Sequence, residues 1–454
     1  MGGAELDSRL RSAVRAGDAD AVRDLLDQGA DPDVVDADGL PVLCEAVAAY
    51  DARVAEALVE GGADPDRMLP DGTTPLWRAV DGGSPTTFTA VLGREPRLRL
   101  SKPARERLLA LARTWYETGA VEELRRRTGA HGPATTVRTL DGAYDWVDWV
   151  EQVSFDNGPS VRAGHGAILT SMEWAFRILT PVEELMARAV GRHDADHVDW
   201  QTACFTLVQR RSAETWSAVV AHRHNPDPAH RRFVADFLWK RGLLCDTSPE
   251  FEQKESEFLA AWAAEETDGG MLAKLLDAYT HRDHTGQEAI GLLHACHPDP
   301  RVRREVPYAL TADGVARTHE ARAALRSLMH DPDAQVRLQA CTASKRDDDL
   351  LPEITRALLP LIEEPDAAPR HEAVAVLAES WDRTPATADA LAGLLDADDQ
   401  LLRLEAAYGL ALRDDPRTAE AYERVGPLGD RFRGDHRADA LWRWELRKKD
   451  SAAE

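Results

Sequence analysis

Four copies of the phrase Asp-x-x-x-Arg stand at an almost fixed interval in the second half of this 454-residue chain. They are Asp299 to Arg303, Asp333 to Arg337, Asp366 to Arg370 and Asp399 to Arg403, so the arginines lie 34, 33 and 33 residues apart. A fifth copy, Asp227 to Arg231, lies 72 residues upstream, close to two further steps. A period of this length belongs to small units that cannot bury their apolar face alone and must stack on their neighbours. The expected fold class is therefore all-α, built as tandem α-solenoids.

The helical register follows from the apolar positions. Counted from each Asp, position +3 holds Val302, Val336, Pro369 and Leu402, and +7 holds Val306, Ala340, Ala373 and Ala406. Position +11 holds Leu310, Ser344, Leu377 and Leu410. Steps of four define one face of an α-helix. The Asp can accept a backbone N–H at the helix N-terminus, worth about 1 kcal/mol. The Arg can reach a neighbouring Asp while its stem covers apolar surface. A preceding helix fills the rest of each unit, over 287–295, 319–329, 354–362 and 386–395. This pattern resembles the HEAT repeat, particularly the short HEAT-like form found in phycobilisome lyases, over 285–413 and more weakly over 165–284. In the weaker part Leu272 stands where the unit at Asp268 calls for Arg. The stretch from Leu441 to Lys449 reads as a closing helix whose tryptophans seal the stack.

Residues 1–128 carry a 33-residue period of their own: Ala13, Ala46, Ala79 and Ala112, and likewise Leu25, Leu58, Val91 and Leu124. Gly29-Ala30-Asp31-Pro32 returns as Gly62-Ala63-Asp64-Pro65, each followed by an Asp-Gly turn, and Thr74-Pro75-Leu76-Trp77-Arg78-Ala79 follows the second. Glycine permits the positive φ that ends a helix, and a small Ala lets two helices approach. These residues resemble the ankyrin repeat, as about four units with modified caps. Trp77 stands where the family motif has His, and Glu95 and Thr128 stand where the fourth unit calls for Gly.

Residues 129–165 break both periods. Gly129-Ala130-His131-Gly132-Pro133 and Asp156-Asn157-Gly158-Pro159 are turn chemistry. Between them Trp146 and Trp149, three apart, would share a helical face with Val150 and Val153. The expectation is an aromatic-rich junction, with a HEAT-like solenoid over 166–449.

The net charge of −24 disfavours nucleic acid and anionic membrane as partners. Five separated cysteines without a Cys-x-x-Cys pair fit buried thiols in a reducing compartment. The N-terminus has no basic patch leading into an apolar run, and no run approaches 18 apolar residues. The expected location is cytoplasmic, and the preference for Arg over Lys fits a GC-rich bacterial genome. Charge is uneven within the ankyrin-like part. Residues 1–93 hold 7 basic and 18 acidic groups, whereas 94–127 hold 10 and 5. Arg97, Arg99, Lys102, Arg105, Arg125, Arg126 and Arg127 thus form either a dock for an acidic partner or a face that packs or is solvated.

No nucleophile elbow, phosphate loop or dinucleotide fingerprint is present, so no catalytic residue and no cofactor is expected. His193 and His197 have the spacing of a metal pair, but Asp194 and Asp196 favour a turn, and no metal site is assigned. What remains is an extended surface for a protein or peptide. Positions +5 and +9 lie opposite the packed helical face and hold Arg304, Tyr308, Leu338, His371, Leu404 and Tyr408. They are the expected lining of a peptide groove, unless they touch the next repeat. The basic unit at 94–127 admits a regulatory subunit that docks on an enzyme through it, and the resemblance also admits a lyase or modification-associated enzyme. It admits a DNA glycosylase poorly, because a duplex groove needs unopposed Lys or Arg.

Overall fold

The computed structural model describes residues 3–453 except 37, 143–147, 156–157, 246–247, 283, 312–316, 365 and 430–431. Helices dominate, with one small sheet, and the chain divides into two units, residues 1–245 and 246–454.

In the first unit, antiparallel helix pairs follow one another: α1 (Gly3–Ala16) with α2 (Ala19–Asp27), α3 (Val42–Ala48) with α4 (Ala52–Glu60), and α5 (Pro75–Gly82) with α6 (Pro85–Leu92). A short α7 (Pro96–Arg99) leads into the longer pair α8 (Lys102–Thr118) and α9 (Ala120–Thr128). Gly29 and Gly62, at φ +95° and +101°, turn the chain out of the second helix of a pair into an extended finger. Within each finger an Asp side chain accepts the amide two residues on: Asp31 from Asp33 and Asp64 from Asp66, both at 2.9 Å. Each finger is also tied to what precedes it, the first to α1 and the second to the first finger. The Asp31 amide donates to Asp7 and the Asp64 amide to Asp33, both at 3.0 Å. Thr74 caps α5 through the Trp77 amide, with Pro75 at the first helical position.

The stretch expected as a helical aromatic junction is an antiparallel sheet inside this unit, with order β1 (Thr135–Asp141), β2 (Asp148–Ser154), β3 (Ser160–Arg162). Trp149 and Val150 lie on β2, whereas Trp146, Asp156 and Asn157 fall outside the described residues. Both faces of β2 are covered. Val150 is buried with Ala167 and Val198, and Val153 with Trp115, Leu124, Phe155 and Val161. A strand buried on both sides loses strict alternation, so two valines three apart imitate a helical stripe. Beyond the sheet, α10 (His165–Ala175) packs on α6 and α8 and adds Ile168, Leu169 and Met172 to the apolar core of the repeats. The unit ends with α11 (Val182–Val190), α12 (Val198–Gln209), α13 (Ala213–Val220) and α14 (Pro228–Leu244). Its division from the second unit falls at residue 245, not near 165.

The second unit is a stack of two helical rows. Its second helices are α16 (Gly269–Thr280), α18 (Pro300–Ala309), α20 (Ala334–Ser344), α22 (Ala367–Glu379), α24 (Gln400–Leu412) and α26 (His436–Ala453), each packed on the next. The first helices are α15 (Pro249–Glu265), α17 (Gln287–His294), α19 (His319–Leu328), α21 (Leu351–Ile362), α23 (Pro385–Gly393) and α25 (Thr418–Val425). One apolar core runs from Val306 to Trp444. Trp444 is buried, but Trp442 is 56% exposed, so only one of the two terminal tryptophans closes the stack.

The recurring Asp and Arg have separate tasks. Asp299, Asp333, Asp366 and Asp399 each cap the following helix through a backbone amide at 2.8–3.2 Å, as do Asp227 and Asp268. The Arg folds back on its turn, and Arg403 also reaches forward to the Arg424 carbonyl at 3.0 Å. Arg303 donates to the carbonyls of His297 and Pro298 (2.8 and 3.0 Å), and Arg337 to those of Asp331 and Pro332 (2.9 and 3.2 Å). Arg403 meets those of Ala397 and Asp398, Arg370 that of Glu364, and Arg231 those of Asn225 and Pro226. Each guanidinium satisfies carbonyls of the turn between the two helices, which have no helical partner. Only Arg303 fulfils the expected bond to a neighbouring Asp, holding Asp331 through two nitrogens at 2.7 and 2.8 Å.

Candidate partner-binding faces

The six residues assigned to a groove separate into three groups. Leu338 and Leu404 have no exposed surface, which corrects the expectation that position +5 faces outward. A helix within a stack is covered by its own pair and by the repeats on either side, and +5 turns toward the following repeat. Arg304 and His371 occupy the same flank. Arg304 holds Asp333 through two nitrogens at 3.1 and 2.8 Å, and His371 Nε2 lies 2.7 Å from Asp399. Both therefore staple one helix cap to the previous repeat. Tyr308 and Tyr408 are the accessible pair. The Tyr308 hydroxyl donates to Gln339, and the Tyr408 ring meets His436 edge-on at 5.5 Å.

Position +6 borders the open side of the row, half-buried at Glu305 and Gln339 and exposed at Glu372 but buried at Glu405, and the sequence reading passed over it. It holds Glu305, Gln339 and Glu372 on three successive second helices, and Glu405 on the fourth. Their common offset from the Asp was the available signal. Glu305 and Gln339 line a recess of about 1010 Å³ with Asp277, His281, Arg304 and Tyr308. Burial, together with the charge of Asp277, pushes the Glu305 carboxyl up to about 7. Burial also raises Glu372, against its hydrogen bond with Gln339. Glu405 is taken up by Arg437. Farther along the row a second concavity, about 660 Å³, is walled by Trp381, Tyr408 and Leu412 and edged by Arg346, Arg383 and Arg413.

The basic residues of the first unit are largely spent on internal contacts. Arg126 and Arg127 both hold the buried Glu123, pulling its carboxyl down to about 2. Arg127 also lies 4.4 Å from the Trp115 ring, and Arg125 pairs with Glu122 over Phe155. Arg99 links to Asp66 and to the Leu92 carbonyl, and Arg105 sits over Phe176 at 5.9 Å. Lys102 makes only a loose pair with Glu106 at 3.8 Å, and Arg97 is exposed. The charge excess of 94–127 thus serves mainly to anchor α9, the sheet and a finger.

His193 and His197 are not brought together on a helix. His193 sits after α11 at φ +54°, whereas His197 is buried as the N-cap of α12. His197 Nδ1 accepts the Asp199 amide at 3.1 Å and Nε2 lies 3.0 Å from Glu151, whose carboxyl it draws down to about 2. No group of three or more metal-ligating side chains occurs among the described residues. A cleft of about 890 Å³ in the first unit, beside α4 and α6, contains Asp141 and Asp148 at the paired ends of β1 and β2. Ser84, the Thr86 amide and Arg162 hold Asp141. Burial lifts the Asp148 carboxyl to about 6. Neither this pair nor His165, buried and stacked on Trp115 at 4.8 Å, was singled out from sequence, since the topology alone brings them into place.

The family description "Ankyrin repeats (3 copies)" matches residues 10–99. This segment carries three ankyrin repeats. No curated protein matches the chain. The X-ray structure of YibA from Escherichia coli aligns over 58% of this chain and 93% of its own, at 15% identity and a TM-score of 0.42. Ankyrin repeats are in general protein-interaction modules. Among the described residues no helix is long and apolar enough to cross a membrane.

Proposed function

We propose that the protein is a non-catalytic cytoplasmic scaffold, ankyrin repeats followed by HEAT-like repeats, that holds a protein or peptide partner along its helical rows. The observation that carries this reading is the open row of +6 and +9 side chains in the second unit. Glu305, Tyr308, Gln339, Glu372 and Tyr408 come from four successive repeats, and among the described residues no enclosed pocket gathers them around one reacting atom. Such a row matches a segment with an extended backbone, which gains a little from each repeat it crosses. The presence of ankyrin repeats at the other end of the chain supports the same class of function.

The test is capture of the native partner by the full chain and by a Tyr308→Ala/Tyr408→Ala variant, with crosslinks mapped by mass spectrometry. Retention should fall at least about tenfold and crosslinks should cluster on α18 to α24. Equal retention, with crosslinks elsewhere, would remove this row as the binding face.

A further inference from the structure

The row of second helices is not uniform in charge. At its start, three cations near Glu305 are engaged, Arg304 by Asp333, the buried Arg282 by Glu255, and His281 by Asp277, and Lys274 of α16 lies near as well. Glu305 itself has no hydrogen-bonded partner among the described residues, and Glu372 faces the same way one repeat beyond Gln339. Toward the end of the row the balance reverses. Glu379 is paired with Lys345, and the exposed Asp348 stands against three guanidinium groups, Arg346, Arg383 and Arg413, with Arg346 exposed at the rim. Arg413 donates to the carbonyls of Leu377, Ala378, Ser380, Asp382 and Gly409 and to the Ser380 hydroxyl, but to no carboxylate, so its charge stays uncompensated by direct pairing. Beside these cations Trp381 is 56% exposed and Leu412 41% exposed. One end of the row thus offers unpaired carboxylates, and the other offers guanidinium groups around an open indole.

We propose that this row binds one extended segment of a partner protein carrying a Lys or Arg for the Glu305 recess and an Asp or Glu for the Trp381 pocket. The inference rests on the reading of the row as the partner-binding face and adds the partner's chemistry. Three helix-to-helix steps separate α18 from α24, about 24–30 Å at 8–10 Å each. An extended chain rises about 3.3 Å per residue, so the two charges stand about seven to nine residues apart. The Tyr308 hydroxyl, Gln339 and Glu372 form a hydrogen-bonding rail between them for the segment's backbone. The groups facing the Glu305 recess are Asp277 and Lys274 from α16, His281 and Arg282 just after it, Gln287 from α17, Arg304 and Tyr308 from α18, and Gln335 and Gln339 from α20. Against that set a bound cation favours the ionised carboxyl, so affinity rises from pH 6 to pH 8.

The probe is a fluorescein-labelled synthetic peptide with two lysines, a neutral spacer of about seven residues and two glutamates. Its binding to the full chain is read by anisotropy. Glu305→Gln and Arg346→Gln should each weaken it about tenfold. A peptide without lysines should be indifferent to Glu305→Gln, and one without glutamates indifferent to Arg346→Gln. The control is Glu320→Gln on the exposed face of α19, which should change nothing; an equal loss there would show bulk charge attraction and overturn the proposal. Peptides with one charge type that bind as tightly as the full probe would also overturn it. A neutral peptide whose binding needs Trp381 would overturn the charge pattern but leave the row as a binding face. If no peptide binds, and a captured native partner is indifferent to both Trp381→Ala and Tyr308→Ala, the face and its chemistry fall together. Melting of each variant at or above the wild-type temperature keeps misfolding out of the comparison.

Discussion

Both units repeat every 33 residues or so, yet they close their turns by opposite means. In the ankyrin fingers the closing bonds cross from one repeat to the next: the Asp64 amide leans on Asp33, and the Asp31 amide on Asp7. In the second unit each Arg returns to carbonyls of its own turn, and the crossing contacts are side-chain staples such as Arg304 to Asp333. A common period therefore fixes how helices stack but not how turns are held. The two designs should fail differently when damaged.

The largest difference concerns burial. Leu338→Asp places a charge in the apolar core of the second unit and should cost at least about 4 kcal/mol. Hydrogen exchange should show α18 to α22 opening while α3 to α6 keep their protection. Retained protection at α20 would mean that position +5 faces water after all. Next comes Arg337→Ala, which leaves two carbonyls without a charged donor and should cost about 1.5–3 kcal/mol. Its exchange effect should stay within the turn before α20, and Arg337→Lys should recover only part of the loss because an ammonium lacks the planar fork. Asp33→Ala is milder, about 1 kcal/mol by analogy with a lost cap, but should loosen two fingers, residues 31–36 and 64–69. An effect confined to one finger would abolish the contrast.

The smallest effect is a pH dependence. The Glu305 carboxyl is raised from 4.5 to about 7 in the fold, so its contribution is complete below its unfolded value and fades as pH rises through 7. Glu305→Gln should match the wild type in melting temperature at pH 4 and exceed it at pH 8.5. Asp148, raised to about 6 in the first unit, should give the same behaviour about one pH unit lower for Asp148→Asn. Reversal of either order would mean that these carboxyls are stabilised as anions.

How far the sequence could be read follows from the same contrast. Stacked helix pairs, capping Asp residues and finger glycines were legible because each depends on residues close in the chain. The sheet was not, because burial of Val150 on one side and Val153 on the other erased the two-residue rhythm. The Arg125–Arg127 run read as a possible dock because nothing local announces that Glu123 is buried beneath it. Leu338 and Leu404 were misplaced because a single-helix projection has one inside and one outside, whereas a stacked helix is also walled on both flanks. Glu305, half-buried, and Glu372, exposed, stayed unnoticed for the converse reason: the recess and the open side they border are set by the spacing of neighbouring helices, a property of the row and not of any one helix.

The inward-folded arginines carry a consequence for growth. A tile that seals its own seam keeps its turn when copied, and its border staples, such as Arg304 to Asp333 and His371 to Asp399, are remade wherever the copy carries the same two positions, so the C-terminal row is free to lengthen by duplication. The fingers at the other end behave like shingles, each pinned by its predecessor, and a cut there exposes the next edge. Changes in length among descendants of this chain should therefore gather between Asp299 and Arg403.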